Sequence, residues 1–429
     1  MLRVPALLWA YTLAMVAAEP LRRAGSRLRA IKASRKNSPV PRALVVSNVA
    51  DLGGGGALSF CDFVLALQKM QPDLDLVGVY PRKGSLAEEC AGYGIGTEIT
   101  WVPSWAYLEQ WRERISSPLA ETLVGAFLVP LANVVAAALL IPGILRALLL
   151  LRRLRPNMVL SNTMVIPSHA VAAKLLGIPH YWMVHEFGRD DHWFRFLLGD
   201  RMTIRLIGRL SESVICNSRA VEGALLAQDP NMKTRVIYPV VDTALGTPRE
   251  RHPGERMRVV LVGHFFQSKG QHIAVEAVAI ARKAGVELEL TLVGPGDHEP
   301  LRKLARTLGV ADLVDIHGPT QDVGPYWAAA HVGLMCSDCE AFGRVTVEAM
   351  RAGLPVCGTN AGGTLEIIDP GVNGLLSAAR DAKGLAANLM LLESDEDLRR
   401  RLAVRAVETA QRFERDRHDT ELAGVLGLR

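Results

Sequence analysis

The sequence predicts an α/β protein with two doubly wound parallel sheets in tandem. Three observations carry this expectation. From Ala43 onward, short apolar runs alternate with amphipathic stretches, the pattern of strands joined by crossover helices. The alternation stops at TALGTPRERHPGERMR (243–258), where Arg, Pro and Gly gather and apolar periodicity is lost, as in a linker. It restarts with MRVVLVG at 257–263.

In the first half, strands are expected at ALVVSNVA (43–50), LVGVY (76–80), NMVLSN (157–162), PHYWMVHE (179–186), SVICNS (213–218) and RVIYPVV (235–241). Four glycines, Gly53, Gly54, Gly55 and Gly56, follow the first run, and a helix then reads from Ala57 with Leu58, Cys61, Val64 and Leu65 on one face. In the second half, QHIAVEAVAIARKAG (271–285) reads as a helix closed by its glycine. Further strands fit VELELTLVG (286–294), LVDIHG (313–318), HVGLMC (331–336) and LPVCGTN (354–360). The charge-rich stretch from Asp395 to Leu428 reads as helix. The chain thus divides into a basic arm (1–42), a first domain (43–242), a linker (243–256), a second domain (257–405) and a terminal helix (406–429) expected to pack back on the first domain. A ligand is expected in the crevice between the domains, at the carboxyl ends of the strands.

With 429 residues, 49% hydrophobic and 22% charged, the chain can bury enough apolar surface to fold as globular domains. The formal charge of +5 is unevenly placed. Residues 1–42 hold nine Lys/Arg against Glu19 alone, so the remainder carries three more acids than bases. That balance argues against a nucleic-acid partner, which would call for basic residues clustered on the fold itself. Val4–Ala18 is apolar and suits either a signal core or a membrane-facing segment. The eight Lys/Arg from Arg22 to Arg42 favour an uncleaved arm on the cytoplasmic side of an anionic membrane. Thr122–Leu145 is 24 residues without a charge, interrupted by Pro130, Asn133, Pro142 and Gly143. It reads as two shorter helical pieces, either buried in the core or forming a monotopic patch in the membrane interface. The expected location is therefore cytoplasmic and peripherally membrane-associated. Six dispersed cysteines indicate a reducing compartment. The one C-x-x-C, Cys336 and Cys339, lacks the further ligands that a zinc site needs.

The most informative text is Glu340-Ala-Phe-Gly-Arg-Val-Thr-Val-Glu348, followed by Gly353-Leu-Pro355 and Gly362-Gly363-Thr364-Leu365-Glu366. A helix starting near Phe342 would leave Glu340 in the loop before it and Glu348 two turns along, up to about 12 Å further on. The free N–H groups and positive dipole end between them suit a phosphate. One carboxylate would then meet a sugar and the other a nucleoside.

This segment resembles the E-x7-E signature of retaining glycosyltransferases of family four. The resemblance runs from about Ala43 to the end and implies a GT-B fold, two Rossmann-like domains facing a cleft. It implies that Glu340 lies by the donor sugar, that Glu348 binds the ribose, and that the backbone of Phe342, Gly343, Arg344 and Val345 holds the diphosphate. Gly263-His264…Lys269-Gly270 is similar to the family's Gly-Arg…Lys-Gly turn, with Lys269 as the cation and His264 where an arginine stands. His185, at a strand end, matches the histidine near the donor sugar, and Gly53–Gly56 match the acceptor-side glycine loop. Asn217, Ser218 and Asp242 match positions read as structural. The catalytic set is then Glu340, Lys269 and His185.

No Asp-x-Asp metal site is expected, since Asp73-Leu74-Asp75 opens an apolar strand. No cofactor is expected either, the nucleotide sugar being substrate. The resemblance implies transfer from a nucleotide-diphosphate sugar to a hydroxyl. The basic arm and apolar stretch point to a lipid-linked or polysaccharide acceptor in cell-surface synthesis. The alternative is a non-catalytic partner subunit of the same fold, suggested by His264.

Overall fold

Apolar runs form strands and amphipathic stretches form crossover helices throughout the residues described here, 41–108, 129–192, 194–252 and 254–427 of a computed structural model. The basic arm through residue 40, and residues 122–128 of the apolar stretch, lie outside them. In the first domain the chain runs β1 (Arg42–Ser47), α1 (Gly55–Met70), β2 (Asp75–Tyr80), α2 (Ser85–Gly92), β3 (Gly96–Ile99), β4 (Ala106–Leu108), α3 (Val129–Leu154), β5 (Met158–Asn162) and α4 (Ser168–Leu176). It continues with β6 (His180–Val184), β7 (Phe194–Phe196), α5 (Asp200–Leu210), β8 (Ser213–Cys216), α6 (Arg219–Leu226) and β9 (Thr234–Val236).

Seven of these strands form one sheet, β3-β2-β1-β5-β6-β8-β9, parallel throughout. β4 and β7 pair antiparallel beside it. Side-chain alternation on β1 feeds two cores. Leu44 and Val46 pack with Trp182, Leu151 and Ile207 on one face, and Ala43 and Val45 pack with Phe60 and Leu67 on the other. Helices therefore cover both faces, as a parallel sheet requires.

The second domain comprises β10 (Met257–Val262), α7 (Gln271–Lys283), β11 (Leu288–Val293), α8 (Glu299–Leu308), β12 (Val314–His317), β13 (Val332–Met335), α9 (Arg344–Arg351), β14 (Val356–Thr359), β15 (Gly374–Ser377), α10 (Ala382–Ser394) and α11 (Glu396–Ala410). Its parallel sheet has the order β12-β11-β10-β13-β14-β15. α11 continues unbroken through 405–406 and the chain turns only at 411–414, before α12 (Arg415–Leu426). Leu422 and Leu426 of α12 join the first domain's core beside Phe60 and Leu67. Val241 N donates to Phe413 O at 2.9 Å, so the two segments that join the domains lie side by side.

Several expectations are corrected. β3 and β15 were not anticipated: β3 is mostly exposed and β15 only half-buried, so neither presents a long apolar run. The strand expected at 235–241 pairs only over Thr234–Val236. The face of α1 that enters the core is Phe60, Phe63, Val64 and Leu67, whereas Leu58 is 40% exposed. The helix takes its phase from its two phenylalanines, which bury the most area.

The largest change concerns the apolar stretch. α3 is one helix running through Pro142, not two pieces, and it is not a buried core helix. Val134, Val135, Leu139, Ile141, Leu145 and Leu149 are exposed on one side, opposite Ala147, Leu150 and Leu151 in the core. Gly143 passes so close to Pro103 that a Cβ there would overlap the proline ring.

Candidate functional site

Loops leaving the carboxyl ends of both sheets meet between the domains. Gly55, after β1, lies against the Arg344 side chain, where an added Cβ would sit 3.5 Å from Cδ. Beyond β8, the amides of Arg219 and Ala220 donate at 2.9 and 2.8 Å to Glu366, which also accepts from the Tyr238 hydroxyl at 2.7 Å. Glu366 thus caps α6 from the opposite domain, a role the sequence did not reveal.

The two acids of the signature occupy different surroundings. Glu340 follows β13 in a loop pinned by the double glycine: Gly363 N donates to Glu340 O at 2.7 Å. Gly362, at φ +58°, lies so near that oxygen that a Cβ would overlap it. The Glu340 carboxylate accepts from Lys269 Nζ at 2.6 Å and Ser337 Oγ at 2.9 Å. Lys269 sits in a short 3₁₀ turn ended by Gly270, at φ +71°, where a Cβ would overlap Cys336 O. Burial opposes the Lys269 charge, but the Glu340 carboxylate outweighs it and holds the ammonium above the usual lysine range. Glu348 lies on α9, and no side chain among the described residues hydrogen-bonds its carboxylate. Burial raises its pKa, with Arg344 opposing.

α9 starts at Arg344, two residues later than expected, with Gly343 as N-cap at φ +99°. Phe342 precedes the cap and its ring is buried against Tyr238 and Phe413, so only its backbone is available to a ligand. Val345 is partly exposed in the first turn. The Arg344 side chain leaves its own domain and donates to Asp62 of α1 at 3.0 Å. Its guanidinium is therefore committed across the cleft.

His264, next to Gly263 at the end of β10, stacks on Phe266 with ring centroids 5.4 Å apart. Burial, assisted by Lys269, lowers its pKa, so it adds no fixed cation near neutral pH.

In the first domain His185 ends β6 and shares a 2.6 Å hydrogen bond between Nε2 and Asn162 Oδ1. Asn162 donates through Nδ2 to Gly56 O at 3.0 Å, so its Oδ1 is the acceptor and His185 carries its proton on Nε2. Burial, then Arg344, lowers the His185 pKa to about 4, leaving Nδ1 as a buried lone pair without a partner among the described residues. Asn217 Nδ2 donates to His185 O at 3.2 Å, and Ser218 caps α6 by accepting from Val221 N at 3.1 Å. Open space faces Gly53, Gly54 and Gly56.

Asn162 was missed, although it stands at a strand end like His185 and the same reasoning reaches it. Asp62 and Ser337 carry no local signal. Asp75 of the rejected Asp-x-Asp is paired with Arg42. Among the described residues no cluster of three or more His, Cys, Asp or Glu is placed to hold a metal.

Two opposed α/β domains meeting at their strand ends define a GT-B protein. HepE of Anabaena, solved in complex with UDP and glucose, shares this fold with a TM-score of 0.68 at 21% identity, covering 90% of this chain and 99% of that one. The model "Glycosyltransferase Family 4" matches residues 53–245 and the model "Glycosyl transferases group 1" matches 247–409. Together the two models span most of the chain, which is a glycosyltransferase of family-four type. Over 217 residues it is 33% identical to the lipopolysaccharide core biosynthesis glycosyltransferase LpsE of Rhizobium meliloti, covering 49% of this chain and 63% of that one. Over 285 residues it is 28% identical to the D-inositol 3-phosphate glycosyltransferase of Nocardiopsis dassonvillei, covering 59% and 66%. The matches thus span less than two thirds of the length of these two relatives.

Proposed function

We propose that this protein transfers a sugar from a nucleotide-diphosphate donor to an acceptor hydroxyl, retaining anomeric configuration and using no resident metal. The observation that carries the reading is the Lys269–Glu340 pair beside the α9 N-terminus, with the Glu348 carboxylate free of side-chain partners among the described residues. As the bond from the anomeric carbon to the diphosphate breaks, negative charge grows on the leaving group. Lys269 and the amides at Gly343–Val345 are preorganised to meet it. Glu340 lies where positive charge develops on the sugar, and Glu348 accepts from ribose hydroxyls. The acceptor oxygen bonds to the anomeric carbon as the diphosphate leaves, and its proton passes to the departing diphosphate oxygen. His185, neutral and offering Nδ1, accepts a hydrogen bond from a sugar hydroxyl. Gly53–Gly56 lie on the acceptor side, where open space admits a substrate close to the backbone.

The acceptor belongs to a lipid-linked saccharide or cell-surface polysaccharide, made at the cytoplasmic face of a membrane. Supporting this, Asn133–Leu154 is long and apolar enough to cross a bilayer. Its inner side is built into the first domain, which favours lying in the interface over crossing. Arg152 and Arg155 are exposed at its end, placed for anionic headgroups, beside Arg153, which pairs with Glu98, and Arg146 further up lies over Trp101.

Incubation with a panel of nucleotide sugars, followed by release of nucleoside diphosphate and thermal stabilisation, tests the reading. One donor should stabilise the protein and be turned over. Binding without turnover across donors and lipid-linked acceptors would favour the non-catalytic subunit that His264 suggests.

A further inference from the structure

Asp62 has no part in the reading above, yet its carboxylate joins three elements far apart in the sequence. Oδ2 accepts from Arg344 Nη1 of α9 and Oδ1 from Arg415 Nη2 of α12, both at 3.0 Å. Arg415 also donates through Nε at 3.0 Å to Asp242, beside the interdomain connection. Two cations and two anions therefore alternate in one run from the donor helix to the crossing segments. The Asp62, Arg344 and Arg415 side chains are 13%, 16% and 29% exposed, so the pairs are shielded more than surface ion pairs, which contribute little. Among the described residues Arg344 Nε and Arg415 Nη1 are buried without partners; Asp62 is the carboxylate paired with Arg344, and Arg415 is shared between Asp62 and Asp242. Asp62 also lines a small cavity with His185, Asn217 and His418, next to the residues that hold the histidine.

We infer that Asp62 is a positioning residue: its pair with Arg344, braced from its own domain by Arg415, forms a clasp that fixes the two domains relative to each other and aims the amino end of α9 at the donor. The inference rests on the reading of this cleft as the donor site. Asp62 touches no substrate and acts through Arg344, the first residue of the helix that would seat the diphosphate. Losing it leaves the shielded Arg344 cation with no anion facing it from the first domain, while Arg415 keeps Asp242, which favours separation of the domains. Catalysis that needs the acceptor and donor halves within bonding distance falls with it.

The test compares the full chain with Asp62→Asn, Arg344→Lys and the double variant, by small-angle scattering, UDP and GDP binding, and donor turnover. In Asp62→Asn we expect a larger radius of gyration, nucleotide affinity within about threefold of the parent, and kcat lower by about 10–100-fold. Arg344→Lys should do the same more weakly, and the double variant should be no worse than Asp62→Asn, since both cut one link. Unchanged dimensions and kcat in Asp62→Asn, or losses that add in the double variant, overturn the clasp. If Asp62→Asn fails to melt cooperatively, Asp62→Glu keeps the charge one methylene further out. It must then lose kcat with nucleotide affinity retained, and a wild-type kcat overturns the clasp. Failure of the parent to bind any nucleotide would sink the donor-site reading, while the scattering comparison still judges the clasp.

Discussion

Lys269 Nζ and Glu340 Oε2 lie 2.6 Å apart across 71 residues of sequence. The contact links the turn after β10 to the loop after β13 at the mouth of the donor domain. Both groups are largely shielded from water, and the Glu340 carboxylate holds the Lys269 ammonium charged against its burial. Lys269→Met should lower kcat by about 10²–10³-fold, the usual cost of deleting one preorganised charge stabiliser. Single-turnover kinetics with saturating donor check this, and a variant within threefold of the parent removes Lys269 from the catalytic set.

Glu348 has the opposite standing, a shielded carboxylate with its pKa raised by burial. Folded, it titrates above the unfolded range, so protonation favours the native state, which gains stability as pH falls through that raised range. Glu348→Gln should therefore melt about 1–3 °C higher than the parent at pH 7, lose the advantage on acidification, and raise the donor KM by about tenfold or more. Calorimetry at pH 7 and 5 with donor kinetics reads both effects.

Four buried imidazoles set the acid limit. Burial lowers the pKa of His169, His185 and His331 to about 4 and of His180 to about 3. For a depressed histidine the unfolded chain binds the proton first. Their contribution is complete above the ordinary histidine range and is lost below it, at up to about 1.4 kcal/mol per pH unit for each group. Urea midpoints should fall steeply from pH 6.5 toward pH 4.5. His185 should leave no acid limb in the rate profile between pH 5 and 8; His185→Gln should slow the reaction while keeping the profile's shape.

Two glycines separate scaffold from substrate space. Gly362→Ala must place a Cβ against Glu340 O at a positive φ, and should cost about 1–2 kcal/mol of stability together with turnover. Gly53→Ala meets open space and should leave the melting temperature unchanged while raising the acceptor KM. Equal melting losses in the two variants would contradict this division.

Ile141, Leu145 and Leu149 project from the outer side of α3, 55–65% exposed. Changing all three to Glu should abolish flotation with vesicles containing anionic lipid and leave soluble nucleotide binding intact. Full retention on vesicles would show that the contact lies elsewhere.

The sheets were legible because β1, β5, β6, β10 and β11 are dense apolar runs whose burial is settled locally. Edge strands β3 and β15 were not, since their pairing is decided by neighbours. The phase of α1 was misjudged because Leu58 and Phe60 compete for the core, and only the opposing surface settles which enters. At the site, Glu340 and Glu348 stand in one short segment and were readable together. Asp62 is 282 residues from Arg344 and 353 from Arg415, so the fold alone brings those charges together. Pro142 misled for a physical reason: a helix can absorb a proline when its outer side is free to bend.

The chain passes between the two lobes twice, at Val241 and again at Phe413, with the passages hydrogen-bonded to each other. The donor half is thus tethered at both of its ends rather than hung from one, like a page bound along its spine. Such an attachment permits swinging about the paired segments and resists twisting or sliding, so every return to contact repeats the same registration of donor against acceptor.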